Sequence, residues 1–313
     1  MDFCIDFKDR FLIKWNGLWR LHMDQFILAT ASTCDMDAGW LDEHNIPFIS
    51  YTFEIDGQVY QDDCREDTKR LFYQAMREGK TPNTSQITTY AYYDFFKKLL
   101  KEGKPVVFAD MDRAISNSFA NSLAAAEQIR EKYPDAQLYI IDTRCITMGL
   151  SLLLKKLCEM RDNGASAEET YRWGEENGRK VAHRFLVDDL QWLRKGGRLS
   201  NASAIVGTLL SIKPLIYLPD DGTLVAYEKA HGKKKGIREL LDSAAKDVRD
   251  GKGMEFIVGH SGSPAEGAEW KALVAERFPE AASIDLMELG PVIGAHVGPG
   301  FLSIVYFTDE RKA

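Results

Sequence analysis

Pro105-Val106-Val107-Phe108-Ala109 reads as one short buried strand. The chain passes from it through Asp110 to Ser116. It then enters a stretch with Phe119, Leu123, Ala126 and Ile129 at helical spacing, the apolar face of an amphipathic helix. Gln137 to Ile141 follows as a second buried strand, and Ile146 to Arg161 as a second helix. Strands alternating with helices predict a largely parallel sheet with helices on its faces.

The same alternation extends toward the N-terminus. Phe26 to Ser32 is a buried strand, with a helix cap expected at Asp35 or Asp37. Pro47 to Ile55 alternates as a strand, Asp56-Gly57 is a hairpin turn, and Val59 to Asp63 returns. Glu66 to Arg77 is helical and stops at Gly79. Thr81 to Gln86 is a polar loop, and the helix from Thr88 to Leu100 puts Tyr92, Phe95, Phe96 and Leu99 on one face.

Beyond Asn163-Gly164 the character changes. A helix from Ala167 to Val181 leads to a strand from Arg184 to Val187, a turn at Lys195 to Arg198, and a helix from Ser200 to Leu210. Pro214 to Leu218 and Thr223 to Glu228 flank Asp220-Asp221-Gly222 as a hairpin. Lys233 to Arg249 and Ala265 to Phe278 are helical; Glu255 to Gly259, Ser283 to Glu288 and Phe301 to Phe307 are strands. The expectation is two α/β domains, residues 24–165 with a mostly parallel sheet and residues 166–313 with a mixed one. Residues 1–23 are expected to be an appendage or an upstream start-site extension, because Met23 directly precedes the first good strand.

The bulk numbers bound the function. The chain has 313 residues, 45% hydrophobic and 28% charged, an ordinary globular composition. A net charge of −7 argues against nucleic acid or an anionic membrane as main partner, since both need basic surface. The 16 phenylalanines and 6 tryptophans imply a large core or an apolar cavity. Five scattered cysteines without a CxxC pair fit a reducing cytoplasm better than disulfides or zinc. The longest apolar run, Ile146 to Leu154, is too short to span a membrane. The first 22 residues lack the apolar core of an ordinary signal peptide.

Four sites carry possible chemistry. Leu289 to Gly300 crowds four glycines and two prolines around His296. Glycine permits close approach and proline stiffens the chain, so this stretch reads as a packed turn or short helix that holds the histidine still. Ser116 stands where a helix begins, a place that suits an anion; a plain helix cap is the simpler reading. Thr84-Ser85-Gln86 concentrates hydroxyl and amide donors, again with capping as the simpler reading. Gly196-Gly197-Arg198 sets an arginine beside a glycine turn, most simply a helix end. Gly259-His260-Ser261-Gly262-Ser263 misses the nucleophile elbow at its last position. There is no phosphate loop, HExxH, GxGxxG or EF-hand loop.

These pieces together resemble the DegV family of bacterial fatty-acid-binding proteins, from about Phe26 to Phe307. The residues that carry the resemblance are Ala29-Thr30-Ala31-Ser32-Thr33-Cys34-Asp35, Tyr60-Gln61-Asp62, Thr84-Ser85-Gln86 and Ile115-Ser116-Asn117-Ser118. They continue in Ile141-Asp142-Thr143, Asp189 to Ser200, Ile212-Lys213-Pro214 and Gly290 to Gly300. The resemblance implies a long-chain fatty acid buried between two α/β domains, and no other cofactor. It assigns Thr84 and Ser116 to the carboxylate, with Ser85 and Asn117 as neighbours in the same motifs. His296 is expected close by, protonated to help hold the charge, and Arg198 in the same network or at a partner surface. It further implies presentation of the acyl chain to a separate fatty acid kinase subunit for phospholipid synthesis, by a protein that is neither an enzyme nor integral to a membrane. Ala31, Asp112-Arg113 and Asn117-Ser118 depart from the family pattern, and Asp112 or Arg113 is expected to bear on the ligand's head group. Two alternatives stand beside this. Ser116 and His296 could be nucleophile and base of a hydrolase or acyl-transfer enzyme, or the chain could bind another amphipathic acid.

Overall fold

A computed structural model describes residues 12–15, 18–21, 26–198, 212–248 and 250–312. Most of the expected N-terminal extension and the helix expected from Ser200 to Leu210 lie outside the described residues. Within the extension, Leu12–Trp15 and Leu18–Leu21 pair as an antiparallel ribbon.

Ile27–Ala31 and Val106–Asp110 are buried at every position, which explains why they carry no polar alternation. They are the two inner strands of a four-stranded parallel sheet, with Phe48–Ile49 on one edge and Leu138–Asp142 on the other. Helices Glu66–Arg77, Thr89–Leu100 and Ser118–Lys132 belong to this half. Helix Ala167–Asn177 also packs there, with Tyr171 against Tyr139 at a ring separation of 5.5 Å.

The second sheet has six strands, in the order Val225–His231, Ile212–Tyr217, Val181–Leu186, Leu302–Phe307, Glu255–His260 and Ser283–Glu288. Its pairings are antiparallel except between the last two strands. The molecule is thus α/β with one parallel and one mixed sheet. Helix Thr147–Asp162 joins the halves. It is buried on all sides from Thr147 to Leu154, and it ties forward to the mixed sheet through Lys155–Asp285 and Lys156–Glu255 pairs at 2.7 and 2.6 Å.

Three segments differ from the sequence expectation, each for a local reason. Pro47 to Ile55 is not one strand. Tyr51 is buried and its amide donates to Ser32 Oγ at 3.1 Å, so the ladder breaks there. Phe48–Ile49 stays in the parallel sheet, and Thr52–Ile55 joins a separate three-stranded sheet. Thr81 to Gln86 is not wholly a loop, because Asn83–Ser85 forms the third strand of that sheet, opposite Thr52 to Glu54. Backbone pairing alone makes this strand, and its polar composition hid it. The helix begun at Ala167 stops at Asn177, and Val181 already belongs to a strand. His183 and Arg184 in that strand are both buried, so it too lacks the alternation that would mark it.

Across the two halves, Asp35 accepts the Gly290 amide at 3.0 Å. Lys69 donates to the Asp35 and Glu288 carbonyls at 3.3 and 2.9 Å, and the Tyr73 hydroxyl donates to the Leu289 carbonyl at 3.1 Å. Burial drives the Asp35 carboxyl up to about 8 and that of Asp62 beside it to about 7, against the lowering pull of Lys69. The folded state therefore binds protons that the unfolded chain has released, so stability falls as pH rises through this range. The urea midpoint is expected to drop between pH 6.5 and 8.5, and Asp35→Asn to flatten that drop. A midpoint that rises over this window would contradict the assignment.

Candidate functional site

The parallel strands end in loops that face the mixed sheet, and the site lies at these C-terminal ends, as is general for such sheets. Val106–Asp110 runs into Met111 to Asn117, and Ser116 sits just before helix Ser118–Lys132. Its hydroxyl accepts the Ser118 amide at 3.2 Å in the turn before the helix, whose N-cap is Asn117 and has no side-chain cap bond, and the hydroxyl proton remains free to donate elsewhere. Thr84 stands at the centre of the short strand Asn83–Ser85. It does not cap a helix; Thr88 does, accepting from the Ala91 amide at 3.2 Å.

The glycine-rich stretch forms helix Pro291–Val297, with proline in its first turn and Gly298 beyond its end at φ 74°. His296 points from its last turn to Thr84, Nε2 to Oγ1, at 2.9 Å. Among the described residues Nδ1 has no hydrogen-bond partner, and it faces the Gly196 backbone, where a β-carbon would lie only 2.1 Å away. Gly196 thus closes helix Leu190–Lys195 and also makes room for the imidazole. An orphaned N–H is rarer than an unshared lone pair in proteins, which favours the tautomer protonated on Nε2. Nε2–H then donates to Thr84, and the Thr84 hydroxyl proton is free to point at a ligand.

Burial, helped by the Arg198 charge, lowers the His296 pKa to about 4. The ring is neutral near pH 7, contrary to the expectation of a protonated histidine. The fixed cation here is Arg198, half-buried, whose Nε donates to the Ile115 carbonyl at 3.2 Å and whose Nη1 donates to the Gly196 carbonyl at 2.6 Å.

Thr84, Ser85, Ser116, Asn117, Arg198 and His296 all line one cavity of about 250 Å³. Ser85 and Asn117 are exposed at its rim, while Ser116 is buried. Asp112 and Arg113 do not line it. Asp112 accepts the Ala114 amide at 2.7 Å, and Arg113 pairs with Asp142. The expectation that they act on the head group is therefore not met by the geometry. One lining residue was missed in the sequence. Tyr51 is 2% exposed and its hydroxyl stands beside those of Ser116, Ser118 and Tyr92. Burial raises its phenol pKa, so it is a neutral donor. Below it Tyr92 donates to Asp110 at 2.5 Å. A lone tyrosine after Ile46-Pro47-Phe48 carries no sequence signal of this role.

A second, apolar cavity adjoins the first and shares Ile115, Arg198, Ile293 and His296 with it. Phe185, Leu193, Leu224, Val297 and Phe301 give it an almost wholly apolar lining. It is narrow, about 40 Å³, where one water takes about 30 Å³. A larger open cleft of about 760 Å³ lies at the other end of the parallel strands, around Pro105 and Gln137, and none of the residues singled out above lines it. Among the described residues no group of three or more His, Cys, Asp or Glu side chains is placed to hold a metal, and no helix is long and apolar enough to cross a membrane. The arrangement can hold an anion with neutral donors and one guanidinium beside an apolar slot.

Comparison with known proteins gives a consistent result. The family model described as "Uncharacterised protein, DegV family" matches residues 26–309. A DegV domain-containing protein of Clostridium perfringens is 33% identical, covering 93% of this chain and 100% of its own. One of Streptococcus pyogenes is 34% identical, covering 92% and 99%. Among solved structures, DegV of Bacillus subtilis, described as a fatty acid binding protein, matches with a TM-score of 0.80 at 26% identity, covering 92% of this chain and 100% of that one. A DegV family protein of Thermus thermophilus, reported for fatty acid binding, matches at 0.81 with 24% identity, covering 91% and 99%.

The neutral state of His296 is directly measurable. Its ring resonances are expected to stay constant from pH 8 down to about 5 in the ligand-free protein, followed by nitrogen-15 NMR. A titration midpoint near 6.5 would show that the ring is not desolvated as described.

Proposed function

Because this chain belongs to the DegV family, we propose that it binds a long-chain fatty acid, with the carboxylate in the polar cavity and the acyl chain in the apolar one. The observation that carries this reading is that Thr84, Ser116, His296 and Arg198, far apart in sequence, meet in a cavity that shares a wall with an apolar slot. A carboxylate taken out of water without donors is strongly disfavoured. Here the hydroxyls of Thr84, Ser116 and Tyr51 and the Arg198 guanidinium are at hand, and hydrogen bonds to a charged group are the stronger kind. Ser85 and Asn117 close the rim. The tail supplies affinity, at roughly 0.8 kcal/mol for each CH₂ buried. The slot must widen to receive it, so binding is expected to displace side chains around Ile293 and Leu224.

The head-group residues select acid over ester or alcohol. They do not form a nucleophile–base pair. His296 bonds Thr84 rather than Ser116, and no acidic group holds its Nδ1. Catalysis through Ser116 and His296 therefore has no geometric support, and the protein is read as a non-catalytic carrier. We further propose that it works in the cytoplasm. There it offers the bound acid to a separate fatty acid kinase subunit, whose acyl phosphate product feeds phospholipid synthesis.

Native mass spectrometry of protein from a bacterial host, followed by lipid analysis of the denatured sample, tests the binding. One fatty acid per chain is expected. Ser116→Ala is expected to keep its fold and to weaken fatty acid binding about 10- to 100-fold, the loss of one hydrogen bond of about 1.5–3 kcal/mol to a charged group. Tyr51→Phe is expected to weaken it by a smaller factor. A folded Ser116→Ala protein with unchanged lipid occupancy would falsify the assignment of the carboxylate to this cavity.

A further inference from the structure

The apolar slot does not end in hydrocarbon. In the mixed sheet His183 lies opposite Val305 and Phe185 opposite Ser303. These four side chains share one face and all line the slot. Leu302 begins its strand just after the loop that follows the His296 helix, and Val305 is three residues further on. The lining therefore runs away from His296 along this strand. At the far end it meets Ile146 and Thr147, the start of the 16-residue helix Thr147–Asp162.

Two hydroxyls, those of Thr147 and Ser303, stand in this otherwise apolar lining. Thr147 is 4% exposed, and its hydroxyl makes no hydrogen bond with the described residues. Ser303 is 2% exposed, and its hydroxyl reaches only the Met148 sulfur, at 3.9 Å, a weak acceptor. The helix start has no side-chain cap, so the Thr147 and Met148 amides also lack intrahelical partners. Thr147 sits at φ 48°, a costly conformation for a β-branched residue. His183 makes the end rigid without competing for a ligand. Its Nδ1 bonds the Val181 carbonyl at 2.9 Å and its Nε2 accepts the Ile146 amide at 3.2 Å. Gly149 lies against the ring, where a β-carbon would come within 1.8 Å.

An unsubstituted acyl chain passing here would leave two hydroxyls against hydrocarbon, and unmade buried hydrogen bonds are expensive. A site built to hydrogen-bond an oxygen discriminates strongly against the analogue that lacks it. We propose that the Thr147 and Ser303 hydroxyls make a second polar subsite in the slot that receives an oxygen function on the acyl tail, making hydroxylated or oxo long-chain fatty acids the preferred ligand class. The oxygen accepts from the Thr147 hydroxyl, and a ligand hydroxyl donates to Ser303. This inference rests on the fatty-acid reading of the head-group cavity.

Competition binding on the delipidated full chain tests it, with hexadecanoic acid against its monohydroxy isomers substituted at successive positions from mid-chain to the terminus. One isomer, or two adjacent ones, is expected to bind at least about tenfold tighter than the unsubstituted acid. Ser303→Ala, on a regular strand, and Thr147→Val are each expected to abolish that preference, read in each variant as the ratio of its affinities for the best isomer and for the unsubstituted acid falling to about one. An unsubstituted acid that binds as tightly as every isomer overturns the subsite, because water then satisfies the two hydroxyls or the tail stops short of them. If the unsubstituted acid also binds Ser116→Ala equally well, the head-group reading fails as a separate matter. If neither class binds at all, both fall together.

Discussion

The Gly290 amide donates to the Asp35 carboxylate at 3.0 Å, across the boundary between the two sheets. Asp35 is 2% exposed and adopts a left-handed conformation at the end of the turn after the first parallel strand. Gly290 begins the helix that carries His296. A β-carbon there would come within 2.7 Å of the same carboxylate, so glycine is required. Seven residues are too few for a helix to be stable alone. This helix is held from outside, by Asp35 at its start and by Lys69 and Tyr73 on the carbonyls just before it. The His296–Thr84 contact, and with it the wall between the polar and apolar cavities, depends on that hold.

An ionised carboxylate at a helix start is favoured by the positive end of the helix dipole, but burial outweighs this at Asp35 and raises its pKa to about 8. Asp35 is buried beside Asp62, with Lys69 as the nearby cation. The arrangement positions the helix at a cost in desolvation. The head-group cavity is organised differently. Its donors are neutral hydroxyls, a neutral imidazole and one guanidinium that already spends two of its N–H groups on backbone carbonyls. Such a cavity tolerates being empty far better than a cluster of charges would.

Much of the cavity lining was legible in the sequence, because its polar residues coincide with backbone constraints. Glycines and prolines around His296, a hydroxyl before a helix at Ser116, and the Thr84-Ser85-Gln86 cluster each announce a special local geometry. What was not legible was protonation and company. Whether His296 is charged depends on the groups that enclose it, and those come from four separate stretches of chain. Tyr51 looked like an ordinary strand residue; only its burial in the cavity wall with its hydroxyl beside Ser116 marks it. Asp112 and Arg113 looked like neighbours of the head group because they precede Ser116, but the loop turns them toward Ala114 and Asp142.

The sequence by itself determined the α/β class, nearly every helix and strand, and the family. Local patterns of period 2 and 3.6, turn residues and motif order carry that information within short windows of chain. The tertiary structure alone decided that polar Asn83–Ser85 is a strand, that Pro47 to Ile55 is divided between two sheets, and that the strand with buried His183 and Arg184 begins at Val181. In each of these the deciding partner is distant in sequence: a backbone ladder, the Ser32 hydroxyl for Tyr51, or the Ile146 amide for His183. It also decided that one cavity collects Thr84, Ser116, Arg198 and His296. Hydrogen bonding and desolvation act through space, and a linear pattern records them only where the chain happens to be its own neighbour.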